Sequence, residues 1–245
     1  MLFQYPSGQP GSGVADILIW IMIVVVAVTA FFLLVEYTKT HQTHHLLWAM
    51  AFIGIWIVFH QVTLLGSYGV AMDSVGAGIS VFSSGAIATG LLYAIFGKEK
   101  KLLGRISIGM LYLIIVLIMS VLVGLLGLSI IRSTWFSDGL PYWPVAVIEI
   151  IVYTANAVII VGLPIYTTVK TKETEKSAYL ISAGGLLMTI AGIFWALMYT
   201  IGGDLGVILV TLLVYPIVFG MMCYVFGMLY EKKWRFDIPG IEFED

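Results

Sequence analysis

The chain is poor in charge. Lys, Arg, Asp and Glu make up 11% of its 245 residues, against about 25% in soluble domains, so almost nothing in it is built for water. It has one cysteine, Cys223, which excludes an intramolecular disulfide and a cysteine-based metal site and leaves the redox compartment unassigned. Residues 1–13 carry no Lys or Arg, so the basic opening of a secretory signal is missing and the stretch reads as a short, disordered external tail. No loop holds a Gly-rich phosphate cradle, a Ser/His/Asp set or a carboxylate pair. Without them the chain is not expected to be an enzyme.

Apolar residues dominate, at 60% of the chain, with a mean hydropathy of +1.04. Crossing a hydrocarbon core takes about 20 consecutive apolar residues. Seven such runs can be drawn, at 14–37, 46–66, 74–97, 106–131, 143–169, 179–201 and 206–230. Backbone groups in lipid must bond within their own segment, so spans of this length are helices; the strands of a membrane barrel are about half as long. The expected fold class is therefore all-α: a polytopic, multi-pass protein of the cell membrane with seven transmembrane helices over 14–230. The connections are too short to fold separately.

Charge asymmetry predicts the orientation. Lys39; Lys98, Lys100, Lys101 and Arg105; Lys170, Lys172 and Lys176; and Lys232, Lys233 and Arg235 all fall at one end of the seven runs, and only Arg132 at the other. Cytoplasmic loops retain positive charge, which puts the N-terminus outside and residues 231–245 in the cytoplasm. Such a surface suits anionic headgroups better than nucleic acid, so lipids are expected partners and nucleic acid is not. Tyr37, Tyr93, Tyr166 and Tyr230 near the same end read as an interfacial belt.

Charges within the membrane are costly and mark the first place to look for function. Glu149 and His60 each lie about 9 Å from the outer end of their runs at 1.5 Å per residue. Gln61 and Thr63, Ser83 and Ser84, Tyr153 and Asn156, Trp195 and Tyr199, and Tyr215 beside Pro216 reach the same layer. Glu149, Tyr153 and Asn156 recur at i, i+4 and i+7, which makes one polar helix face. Two readings stand: interhelical hydrogen bonding that holds a bundle together, or an outward-facing pocket for a small-molecule ligand or a proton, lined by His60, Gln61, Ser83, Ser84, Glu149, Tyr153, Asn156, Trp195, Tyr199 and Tyr215. If Glu149 touches His60, the pair would respond to pH.

Glu36, His41, His44 and His45 gather at the basic end. Spacing of i, i+4 between His41 and His45 suits a metal only if both are helical and a third ligand converges, so solvated loop histidines are the expectation and no metal is called for. The run 206–230 contains no lysine for a retinal Schiff base, and His60 has no intramembrane mate for haem. No cofactor is expected. Span three, with Gly76, Ala77, Gly78, Gly85, Ala86, Ala88 and Gly90, and span six, with Ala183, Gly184, Gly185, Ala191 and Gly192, allow close backbone approach and should be central. Spans one and four should face lipid or another subunit. Gly54, Gly90 and Tyr93 fall where Gly192, Gly227 and Tyr230 recur, a faint duplication of spans one to three in spans five to seven with span four as linker.

The residues 46–52 opening span two, Gly90 to Tyr93 closing span three, and Gly185 through Gly192 in span six resemble the seven-helix membrane sensor regions of prokaryotic signalling proteins. That resemblance implies a receptor-like module; because only residues 231–245 follow the last span, it would act through a separate protein partner or an oligomer. The alternatives are a non-catalytic subunit of a larger membrane complex, or a small-solute transporter with a three-one-three helix arrangement.

Overall fold

The computed structural model describes residues 13–64, 70–96, 101–102, 106–132, 143–171, 176–201 and 203–230, with side chains over 20–58, 75–96, 106–126, 147–166, 169, 179–194 and 215–228. These residues form seven helices: α1 (Gly13–Thr40), α2 (Thr43–Leu64), α3 (Val70–Phe96), α4 (Ile108–Arg132), α5 (Trp143–Thr171), α6 (Lys176–Ile201) and α7 (Gly203–Tyr230). Between α3 and α4, β1 (Lys101–Leu102) and β2 (Ile106–Ser107) pair antiparallel, Lys101 opposite Ser107 and Leu102 opposite Ile106. The protein is all-α in class, and the two strands only fold back one connection.

Each helix follows its apolar run with small shifts at the ends. α2 and α6 begin three residues before the expected 46 and 179, and α4 begins at 108 because β2 takes 106 and 107. Pro164 and Pro216 lie within the unbroken helices α5 and α7. Among the described residues, four stretches are long and apolar enough to cross a membrane: Trp20–Thr40, Val75–Phe96, Ile108–Leu126 and Val147–Tyr166. Those of α2, α6 and α7, over Thr43–Val58, Tyr179–Phe194 and Tyr215–Met228, are apolar but shorter.

Cross-helix contacts show that consecutive helices run antiparallel. The Trp48 indole N–H of α2 donates to the Ile87 carbonyl of α3 at 3.2 Å; Ser120 of α4 donates to the Gly78 carbonyl at 2.6 Å; Ser182 of α6 donates to the Val161 carbonyl of α5 at 3.3 Å. Gly78 permits the tightest of these seams. A Cβ there would lie 2.8 Å from the Ser120 carbonyl oxygen and 3.4 Å from the Gly124 Cα, so α3 and α4 meet backbone to backbone, as small residues allow in membrane bundles.

The packing order is α1–α2–α3–α5–α6–α7, and α7 returns to α1, so six helices form a closed ring. α4 stands outside it, packed extensively on α3 and lightly on α5. This is a three-one-three arrangement in which the α3–α5 seam is the topological counterpart of α7–α1. At the Gly54/Gly192 pair the residue-level duplication does not carry through. Gly54 faces Ser83 of α3, whereas its proposed equivalent Gly192 faces Tyr153 of α5 rather than α7.

The main core fills the ring from Met22 and Val218 to Leu33 and Met228, through Trp48, Phe52, Ile87, Leu91, Ile160, Ile181, Met221 and Tyr224. A smaller cluster, Ala77, Val81, Val123, Val152 and Tyr153, lies where α3, α4 and α5 meet. α3 is central as expected. α1 and α4 each present one apolar face outward, with Val24, Val28, Phe31 and Phe32 on the first and Ile114, Leu117, Ile118, Val121 and Leu125 on the second. So large an exposed apolar surface is suited to lipid.

The basic end departs from expectation at its histidines. α2 starts at Thr43, which carries His44 and His45 into its first turn. Both are buried there, their rings 4.2 Å apart and those of His44 and Trp48 5.1 Å apart. Thr40 Oγ1 lies 3.1 Å from His45 Nδ1. They are packed side chains rather than solvated loop residues. His41 is exposed in the turn, with φ 52°, and its N–H closes the end of α1 on the Tyr37 carbonyl at 2.8 Å. It therefore shares no helix face with His45. A left-handed conformation disfavours a residue with a Cβ and is the usual place for glycine after a helix. His41→Gly should raise stability by about 0.5 kcal/mol, the relief at φ 52° exceeding the added freedom of the unfolded chain; thermal unfolding in detergent measures it.

Candidate functional site

α5 turns one polar stripe inward, as its i, i+4, i+7 spacing requires. Glu149 and Asn156 are fully buried and Tyr153 is 6% exposed, while Ile151, Val158 and Ile165 on the opposite face are open. Asn156 is satisfied from two other helices. The Tyr112 hydroxyl of α4 donates to its Oδ1, and its own amide donates to Ser84 Oγ of α3 at 3.0 Å. One side chain thus ties α3, α4 and α5 together in an apolar interior, where each bond is worth about 0.6 to 2 kcal/mol.

Glu149 lies two turns away along α5, about 10 Å farther from the basic end. Both its carboxyl oxygens are buried without a hydrogen-bond partner among the described residues. Its neighbours in sequence, Ile148, Ile150, Val152 and Tyr153, belong to the smaller apolar cluster with Ala77, Val81 and Val123. Tyr153 packs its ring against Gly192 of α6, where a Cβ would lie 2.8 Å from Cδ2.

Ser84, Glu149, Tyr153 and Asn156 are therefore brought to one seam. Ser83 is not. Its hydroxyl donates to the Ile79 carbonyl of its own helix at 2.8 Å and its side chain meets Gly54 of α2, because successive helical residues point about 100° apart. Tyr215 is 55% exposed and stands apart from the buried cluster. The side chains of His60, Gln61, Thr63, Trp195 and Tyr199 lie outside the described residues, as do the tails 1–12 and 231–245. Tyr112 is the residue that sequence reasoning missed. Span four reads as uniformly lipid-facing, and the available signal was its hydroxyl-bearing pair Tyr112 and Ser120, eight residues apart and so on nearly one face.

Toward the basic end the buried polar side chains among the described residues are Thr29, His44, His45, Thr89 and Ser182, and none of them is a carboxyl group. Thr29, Thr89 and Thr189 donate to carbonyls four residues back in their own helices, a local bond that leaves nothing for a ligand. Among the described residues no group of three or more His, Cys, Asp or Glu could hold a metal ion. Comparison with protein-family models, curated proteins and solved structures gives no match. The chemistry of the site is read from its own geometry.

Proposed function

We propose that the chain is a seven-span membrane protein, N-terminus outside and C-terminus inside, that works as a receptor-like sensor. The α3–α4–α5 polar seam receives the stimulus, and the basic end docks a separate partner. One observation carries this reading: the main apolar core lies between the seam around Glu149 and Asn156 and the buried pair His44 and His45 at the basic end. A sensor needs a receiving layer separated from its output side, and a packed bundle with two arrangements can couple the ends. Eleven of the twelve cations lie at the output side, where they complement an acidic partner or anionic lipid.

The test is whether a change at the seam reaches the far end. Hydrogen exchange in β1–β2 and the α1–α2 turn should differ between the wild type and Tyr112→Phe. Equal exchange at the basic end, with stability lowered, would leave the seam as interhelical bonding and overturn the sensor reading. Native mass analysis of the gently extracted chain should show it with a protein partner.

The three-one-three ring favours a second reading, a small-solute transporter. It requires the apolar core between the seam and the buried His44 and His45 to part. Solute flux into vesicles separates the two.

A further inference from the structure

The seam holds two buried polar side chains with opposite fates. Asn156 accepts from the Tyr112 hydroxyl and donates to Ser84 Oγ, about two turns of helix from Glu149. Glu149 has neither oxygen accessible and, among the described residues, neither oxygen bonded. A carboxylate in such a place is opposed by the loss of its hydration and by the absence of any donor. Whatever neutralises it must fit where a water molecule cannot reach.

That requirement selects among cations. A metal ion takes several oxygen ligands at defined distances; among the described residues no group of three or more His, Cys, Asp or Glu could hold one, and Ala77, Val81, Val123, Val152 and Tyr153 form an apolar cluster at this level. An organic amine needs a cavity with accessible surface beside the carboxyl. Only a proton needs no space and no further ligand.

We propose that the species bound at Glu149 is a proton, and that its binding closes the α3–α4–α5 seam. This rests on the receptor reading of that seam and names its stimulus. When α5 parts from α3 and α4, water enters, the carboxyl O–H bond breaks, the proton passes to water and the carboxylate stays on α5. Reclosure requires the proton back. The titratable group that faces α5 from α4 is Tyr112, bonded to Asn156. From α3 the described neighbours at this level are Ala77 and Val81; Ser84 of α3 beside Asn156 and Gly192 of α6 beside Tyr153 lie one to two turns nearer the basic end, and none of the four titrates. On α5 itself Tyr153 is the neighbouring phenol. Asp73 of α3, Arg132 of α4, Tyr199 of α6 and His60 of α2 lie on the bundle's helices, with side chains outside the described residues.

Infrared difference spectra of the full chain in lipid vesicles, acid minus alkaline, should contain a protonated-carboxyl band that titrates with pH. The band should be missing in Glu149→Gln and displaced in Glu149→Asp. Amide hydrogen exchange over residues 149–156, corrected for intrinsic rates, should rise about tenfold across that titration in the wild type, equivalent to about 1.4 kcal/mol of opening, and stay flat in Glu149→Gln. A carboxylate signal from Glu149 at every pH overturns the proposal, as does pH-dependent opening that survives in Glu149→Gln. If the glutamine variant does not fold, the band and its displacement in Glu149→Asp decide the matter. A failed proton with altered exchange at the basic end in Tyr112→Phe leaves the receptor reading standing. A titrating Glu149 with no effect at that end removes the receptor reading alone.

Discussion

Replacing Trp48 by alanine should lower the stability of the bundle by about 3 kcal/mol. That is the lower end of the range for losing a large aromatic from a core, because lipid weakens the transfer contribution and leaves the cavity contribution. Trp48 is fully buried at the start of α2, donates to the Ile87 carbonyl, and packs beside His44. The Nε1–Cδ1 edge of its indole lies against Gly90 of α3, where a Cβ would come 2.5 Å from Cδ1 and closer still to Nε1. The sharper expectation concerns the pair. Gly90→Ala should cost about 1 to 3 kcal/mol in the wild type, since a rigid indole cannot give way without shifting α2. In the Trp48→Ala background the same change should be neutral or favourable, because the new methyl enters the vacated space and alanine favours a helix over glycine by about 1 kcal/mol. A double-mutant cycle on thermal unfolding in detergent reads this sign reversal. Additive costs would show that the α2–α3 seam is not held by this contact.

Asn156→Leu should cost about 2 kcal/mol, more than the loss of two membrane hydrogen bonds alone, because the phenol of Tyr112 and the hydroxyl of Ser84 then face an apolar side chain with nothing to bond. Tyr112→Phe removes one bond and should cost about 1 kcal/mol. Combined with Asn156→Leu it should cost less than the sum of the two, since the double variant no longer buries an orphaned phenol. The readout is again thermal unfolding, followed by whether α4 stays on α3. Because α4 touches α5 only lightly and lies outside the ring, the Tyr112 bond is a principal link between it and α5. Its loss should loosen α4 before the ring.

Both expectations depend on residues of unequal legibility. Asn156 and Glu149 are visible in the sequence because polar groups at i and i+7 in an apolar run can only share a face. Tyr112 is hidden by the same logic: a lone tyrosine near the end of an apolar run reads as an interfacial anchor, and nothing local says that its hydroxyl meets another helix. Ser83 and Ser84 are indistinguishable in sequence, yet one turns to α2 and the other to α5. The pairing of Glu149 with His60 rested on equal depth, which supplies one of the two coordinates that a contact needs. The His60 side chain lies outside the described residues. His44 and His45 read as solvated because the apolar run opens at 46, three residues after α2 begins, and one turn of helix is enough to bury both.

Sequence by itself determined that this chain is a set of long apolar helices joined by short polar connections, with its cations segregated to one end and one carboxyl group in an apolar interior. Length, hydropathy and charge report these directly, since each is a sum over local residues. The tertiary structure decided which helices are neighbours, that six of them close into a ring with α4 outside, and that among the described residues Asn156 has hydrogen-bond partners while Glu149 has none. Helices that are apolar on every side carry no amphipathic signal to fix their rotation. In them the facing is set by where glycines let backbones meet and where a few hydroxyls and amides find one another, and those are contacts between residues tens of positions apart.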